Sequence, residues 1–169
     1  MYLVENLSQA ENIEINQPEN LCLVTQTTLS VSDTEEIVLK LKERFPLILE
    51  PKSEDICYAT QNRQDAVKQL ALETDLIIVV GSENSSNSNR LRELAENCGV
   101  ESFLIDDPEK ISSLNLDNVN VMGITAGASA PEELVQQMVQ KCNLLGYKVN
   151  EEISGLKEEV YFKLPAELR

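Results

Sequence analysis

The chain has 169 residues, 42% of them hydrophobic, with 14 basic side chains against 29 acidic ones and a formal net charge of −15. That length and apolar content suit one good-sized domain, or one and a half small ones, with a real core, and the charge repels polyanions, so neither nucleic acid nor an anionic membrane is an expected partner. There is no histidine, which removes Ser-His-Asp, Cys-His and His-bearing zinc chemistry from within this chain.

Residues 1–20 are polar and acidic and carry no firm pattern. Met1-Tyr2-Leu3-Val4-Glu5 lacks the basic start and long apolar run of a signal peptide, and no apolar run is long enough to span a bilayer. Leu21-Cys22-Leu23-Val24 reads as a buried strand, followed by the polar turn Thr25–Ser30. Ser32-Asp33-Thr34-Glu35 has the form of a capping box, and Ile37, Val38, Leu41 and Phe45 continue as a helical stripe that stops before Pro46. Leu47-Ile48-Leu49 is a short strand or connector, and a boundary is expected near Pro51-Lys52-Ser53. A second helix is expected over 61–73, with Ala66, Val67, Leu70 and Ala71 facing inward.

Leu76–Val80 is an apolar strand. It feeds the hydroxyl-rich turn Gly81-Ser82-Glu83-Asn84-Ser85-Ser86-Asn87-Ser88-Asn89, then a helix ending at Gly99, a natural C′ residue. Ser102–Ile105 is a strand, Asp106-Asp107-Pro108 starts a short helix, and residues 119–124 form another strand. Thr125–Ala130 is a third turn of small residues. From Pro131 a helix turns Leu134, Val135, Met138, Val139, Cys142 and Leu145 inward, up to Gly146. In the tail Val160, Phe162 and Leu164 alternate, as in an edge strand or a strap. Alternating strands and helices of these lengths predict a parallel α/β sheet, whose ligands bind beyond the C-terminal ends of the strands.

All three polar turns fall at strand ends. A strand feeding such a turn at a helix N-terminus gathers free N–H groups and hydroxyls at one point, an anion site most often used for phosphate. Each turn alone is also explained by ordinary capping; three at equivalent places favour a small phosphorylated ligand. On a chain this acidic, the anion must be held by local donors. Cys57, just before a helix, sits where a thiolate is stabilised, as a nucleophile, redox group or metal ligand, with a small packed residue as the plain alternative. Cys22, Cys98 and Cys142 lie in apolar patterns and read as core. Without C-x-x-C pairs, the four cysteines form neither a disulfide framework nor a zinc ribbon, and a reducing cytoplasm fits them.

The motifs Thr25-Gln26-Thr27-Thr28-Leu29-Ser30, Asp55-Ile56-Cys57-Tyr58-Ala59-Thr60 with Asn62-Arg63-Gln64, Ser85-Ser86-Asn87-Ser88-Asn89-Arg90-Leu91, Thr125–Pro131, and Leu164-Pro165 with Glu167-Leu168 together resemble the 4-hydroxy-3-methylbut-2-enyl diphosphate reductase family (IspH, or LytB). The resemblance runs over nearly the whole chain. It implies an iron–sulfur oxidoreductase of non-mevalonate isoprenoid biosynthesis, which removes the allylic hydroxyl of its diphosphate substrate with two electrons. The products are isopentenyl and dimethylallyl diphosphate, and the electrons come from a ferredoxin- or flavodoxin-type donor. It further implies three parallel, four-stranded-type α/β lobes around a four-iron, four-sulfur cluster, each lobe giving one cysteine.

Carried over by position, Cys57 corresponds to the third cluster cysteine and Ser85, Ser86, Asn87 and Ser129 to diphosphate ligands. Thr27 corresponds to the threonine at the reacting end of the substrate, in the proton-delivery network. The lobes implied are 1–50 (the C-terminal part of the second), 51–147 (the third) and a strapping tail at 148–169. Family members are roughly twice this long. The other two cluster cysteines, the diphosphate-holding histidines and the proton-relaying glutamate have no counterpart here. One thiolate does not hold a four-iron cluster, so this chain by itself is expected to lack the cluster and activity, and to expose apolar surface. A stand-alone phosphate- or nucleotide-binding module of flavodoxin type is the competing expectation. A third is a redox or scaffold protein whose partner supplies the other half.

Overall fold

A computed structural model describes residues 1–29, 31–50 and 56–150, without the side chains of residues 31–33. The capping box at 32–35 and the alternating tail fall wholly or partly outside that set. Five α-helices are described: α1 (Leu7–Asn12), α2 (Val31–Arg44), α3 (Tyr58–Leu70), α4 (Ser86–Asn97) and α5 (Glu132–Leu144). Three strands, β1 (Leu76–Val80), β2 (Glu101–Ile105) and β3 (Met122–Ala126), form one parallel sheet in the order β2-β1-β3.

Strand β1 reads Leu-Ile-Ile-Val-Val, and every one of its side chains is fully buried. A central parallel strand is covered on both faces, which is why an unbroken run of branched residues forms it. Successive side chains point to opposite sides. Leu76, Ile78 and Val80 pack with Ile105, Ile111, Met138 and Cys142, while Ile77 and Val79 pack with Val67, Leu91, Ala95 and Val100. Helix α5 therefore covers one face, and α3 and α4 cover the other. Burying each such side chain contributes about 1.5–3 kcal/mol before conformational entropy is subtracted.

This layering locates the ligand edge. Strands β1 and β3 are neighbours, yet the helices that follow them, α4 and α5, lie on opposite faces. Their C-terminal ends consequently diverge into a crevice, the topological switch point where open α/β sheets bind ligands. At the opposite edge, the Asp75 carboxylate accepts from the backbone N–H groups of Asn120 (2.8 Å) and Val121 (3.0 Å), tying the entries of β1 and β3 together. Those two bonds hold its carboxyl below the usual range.

The N-terminal region is a smaller assembly of α1 on α2. Arg44 donates to the carbonyls of Ala10 (2.6 Å) and Ile13 (2.7 Å) at the end of α1. Leu41 is the buried residue of the α2 stripe, with Ile37, Val38 and Phe45 half-buried.

Several elements depart from the sequence expectation. Leu21–Val24 is not a buried strand: it contributes a single parallel bridge, Cys22 to Leu49, and Val24 is 73% exposed. Among the described residues that bridge is the run's one strand pairing, so the run enters no sheet there. Cys22 and Cys98 are exposed rather than core; Cys98 lies at the C-cap of α4, beyond the inward face, whereas Cys142 is buried as expected. Leu145 is also exposed, being the C-cap of α5 just before Gly146 at φ +99°. Helix α3 starts at Tyr58 rather than 61, and β3 runs over 122–126 rather than 119–124. The short helix after Pro108 is 3-10, capped by Asp107 accepting from the Glu109 N–H. Among the described residues no helix is long and apolar enough to cross a membrane.

Candidate functional site

At the end of β1 the chain turns through Gly81–Asn84 into α4. Ser85 is the N-cap, its side chain accepting from the Ser88 N–H at 3.3 Å. Asn89 steadies the turn by donating to the carbonyls of Glu83 (2.6 Å) and Ser85 (2.9 Å). Helix α4 carries no acidic residue in its first turn, so its free N–H groups and dipole meet an incoming anion unopposed there.

The two residues that follow Ser86 are buried and polar. Asn87 is 7% exposed and Ser88 1% exposed. The Nδ2 and Oδ1 atoms of Asn87 and the Oγ of Ser88 have no hydrogen-bond partner among the described residues. Buried polar atoms are nearly always paired, and each unpaired one costs about 1–3 kcal/mol.

The Ser88 side chain lies in a notch made by two glycines. A Cβ on Gly81, at the end of β1, or on Gly127, at the end of β3, would fall inside 3.0 Å of the Ser88 Oγ. Neither glycine has a positive φ; both are glycine for space. Their N–H groups continue the ladder, Gly127 donating to Val80 (2.9 Å) and Gly81 to Ile105 (3.0 Å). The first turn of α4 is thus seated directly on the strand ends at the switch point. Gly127 also brings the third turn to this place: its Cβ would lie 3.8 Å from Asn87 Nδ2. Ser129, two residues on, is exposed on that turn.

The first polar turn is fixed to the same edge through three consecutive residues. The Thr27 carbonyl accepts from the Cys57 N–H at 3.1 Å. The Thr28 hydroxyl is 3.0 Å from the Ser86 hydroxyl. The Leu29 carbonyl accepts from the buried Gln64 amide at 3.1 Å. Arg63 adds a fourth tie, donating to the Ala126 carbonyl at the end of β3 (3.2 Å) and to Ala59 (3.3 Å). The starts of α3 and α4 and the two turns are thereby linked.

Cys57 is the N-cap of α3 and is exposed, so its thiol is available beside Thr27. The remaining cysteines sit elsewhere, in the isolated bridge, at the end of α4 and in the core. Among the described residues no three His, Cys, Asp or Glu side chains come together to hold a metal ion. Among the described residues, Cys57 is thus the exposed thiol that stands beside the first polar turn.

Five of the six predicted site residues, Thr27, Cys57, Ser85, Ser86 and Asn87, stand on these linked segments. Ser129 stands on the adjoining turn and is tied to them only through Gly127. Sequence reasoning did not single out Thr28, Gln64, Arg63, Ser88, Gly81 or Gly127. The glycines carried a readable signal: small residues where a strand end meets a helix start mark close approach of backbone and side chain.

The family described as LytB protein matches residues 1–143. The 4-hydroxy-3-methylbut-2-enyl diphosphate reductases of Shewanella oneidensis and Chromohalobacter salexigens are each 54% identical to this chain over 169 residues. Those alignments cover 100% of this chain and 53% of each relative, so the chain spans about half the length of the curated relatives it matches. The solved E-1-hydroxy-2-methyl-but-2-enyl-4-diphosphate reductase of Plasmodium falciparum aligns with a TM-score of 0.76 at 38% identity. That alignment covers 86% of this chain and 45% of the other.

Proposed function

This chain belongs to the LytB protein family, and on that footing we propose that it forms the diphosphate-holding part of a 4-hydroxy-3-methylbut-2-enyl diphosphate reductase. The observation that carries the reading is Asn87: a buried amide with both polar atoms unpaired among the described residues, on the first turn of α4, at the switch point of the sheet. A diphosphate bound there accepts from the Asn87 amide, from the Ser85 and Ser86 hydroxyls and from the free N–H groups of α4. Ser129 closes on it from the β3–α5 turn. Charge-assisted bonds of this kind are about twice as strong as neutral ones, which lets a site without a basic field hold an anion on a protein of net charge −15.

The reaction is the reductive removal of an allylic hydroxyl, giving isopentenyl and dimethylallyl diphosphate. A four-iron, four-sulfur cluster would supply the electrons, received from a ferredoxin- or flavodoxin-type donor. Cys57 is assigned as one cluster ligand. Thr27, held next to it by the Cys57 N–H, is assigned to the reacting end of the substrate. Residues 1–50, 51–147 and 148–169 are assigned to part of one lobe, a second lobe and a strap. The remaining cluster ligands are assigned to residues outside this sequence, so these 169 residues alone are inactive.

Titration of the full chain with inorganic pyrophosphate, followed by phosphorus NMR, tests the anion site. Saturable binding that is lost in Ser86→Ala supports the reading. No saturable binding by the native chain overturns it.

A further inference from the structure

Two hydrogen bonds run from α3 to the first polar turn, and the proposed chemistry leaves the second unexplained. The Cys57 N–H meets the Thr27 carbonyl at 3.1 Å. The Gln64 amide, about two helical turns further along, meets the Leu29 carbonyl at 3.1 Å. Helix α3 is itself anchored to the sheet. Val67 is fully buried with Ile77 and Val79, and Arg63 donates to the Ala126 carbonyl at the end of β3. The turn is therefore held against a fixed rod.

The residue type at 64 suits this task better than packing. At 2% exposure a glutamine gives up both rotamer freedom and hydration, so burial is favourable only where its amide is used. An ionised Glu has no proton to give the Leu29 carbonyl, and Lys would bring a charge into the core. Asn carries the amide but is one methylene shorter. The buried face of α3 runs Thr60, Gln64, Val67, so Gln64 occupies a position that an apolar residue would fill if packing alone decided it.

One hydrogen bond fixes a point and leaves the turn free to pivot; a second, two residues on, fixes its direction. The Leu29 N–H donates to the Gln26 carbonyl at 3.2 Å, so residues 26–29 move as a unit. The Cys57 side chain makes no capping bond with its own helix. How Cys57 stands against Thr27 is thus set by how the turn is held. We propose that Gln64 is a positioning residue, whose amide clamps the first polar turn across the start of α3 and fixes Thr27 beside Cys57. The inference rests on the reading of Cys57 and Thr27 as site residues. Gln64 touches neither ligand nor thiol and acts through the Leu29 carbonyl.

Amide hydrogen exchange of the isotope-labelled full chain, followed by NMR, tests this, since protection of the Cys57 N–H reads its bond to Thr27 directly. Gln64→Met keeps the length and removes the donor. It should lower Cys57 protection about three- to tenfold, the scale of one net hydrogen bond, while the amides of β1 keep theirs. Gln64→Asn, which keeps an amide in the core but falls short of the carbonyl, should lose the same factor and replaces Gln64→Met if that variant lowers the urea midpoint. Unchanged Cys57 protection in a variant with the native midpoint overturns the proposal. So does a fall at Cys57 no larger than that of the β1 amides, because a merely structural role lowers both together. Exchange needs no ligand, so these results judge the clamp alone, and the pyrophosphate titration of the native chain judges the site. A clamp on a chain that binds no pyrophosphate positions nothing, and that outcome overturns the proposal as well.

Discussion

Replacing Gly127 by alanine probes the seating of α4 on the strand ends. The added Cβ would lie inside 3.0 Å of the Ser88 Oγ and 3.3 Å from its Cβ. Carbon contacts relax at roughly 3.5–4.0 Å, so the oxygen must withdraw by at least about half an ångström. Ser88 is 1% exposed, so the oxygen has little room to withdraw. Either the first turn of α4 lifts or the end of β3 moves, and such overpacking costs about 1–3 kcal/mol. Because Gly127 has no positive φ, none of that cost comes from backbone conformation. The Ser88→Ala change therefore relieves it: the oxygen is gone, the remaining Cβ contact at 3.3 Å is tight but bearable, and the hydroxyl removed had no partner among the described residues. Urea unfolding of the native chain, Gly127→Ala, Ser88→Ala and the double variant measures this. The expected pattern is a loss in Gly127→Ala and recovery of most of it in the double variant. A Gly127→Ala chain as stable as the native one, or a double variant no better than the single, would refute the notch.

Asn87→Ala should weaken pyrophosphate binding about tenfold or more while shifting stability by less than about 0.5 kcal/mol, since the atoms removed are unpaired in the fold; titration and urea unfolding on one preparation check both. Alkylation of the native chain, read by mass spectrometry, should modify Cys22, Cys57 and Cys98 quickly and Cys142 slowly, following exposure. Burial pushes the Cys142 thiol up. Its neutral form is therefore favoured in the folded chain, and that stabilisation is complete below the ordinary thiol range and lost as pH rises through the folded value. The native chain should lose stability at alkaline pH more steeply than Cys142→Ala. Asp75 has the opposite sign. Its carboxyl is held down by the Asn120 and Val121 N–H bonds, so its contribution is present above the ordinary carboxylate range and disappears as pH falls through the lowered value. Asp75→Ala should flatten the acid side of the stability profile, and an unchanged profile would remove that tie.

The sheet was legible because its central strand is apolar without interruption, a pattern only a strand buried on both faces needs, and because Gly99 marked the end of α4 with a residue that tolerates φ +85°. The first strand misled for the converse reason. Leu21–Val24 has the composition of a strand but, among the described residues, only one bridge to a neighbour, and burial is decided by what lies alongside, which the local sequence does not contain. The same reasoning misplaced Cys22 and Cys98. The candidate site divides in the same way. The residues proposed as its ligands are readable as hydroxyls and an amide at a helix start. Its ties are not, because Gln64 and Arg63 act on carbonyls 35 and 63 positions away. A ligand-binding side chain has a chemical type that its ligand demands. A supporting one needs only reach and a proton, which many residue types supply, so only the fold distinguishes it.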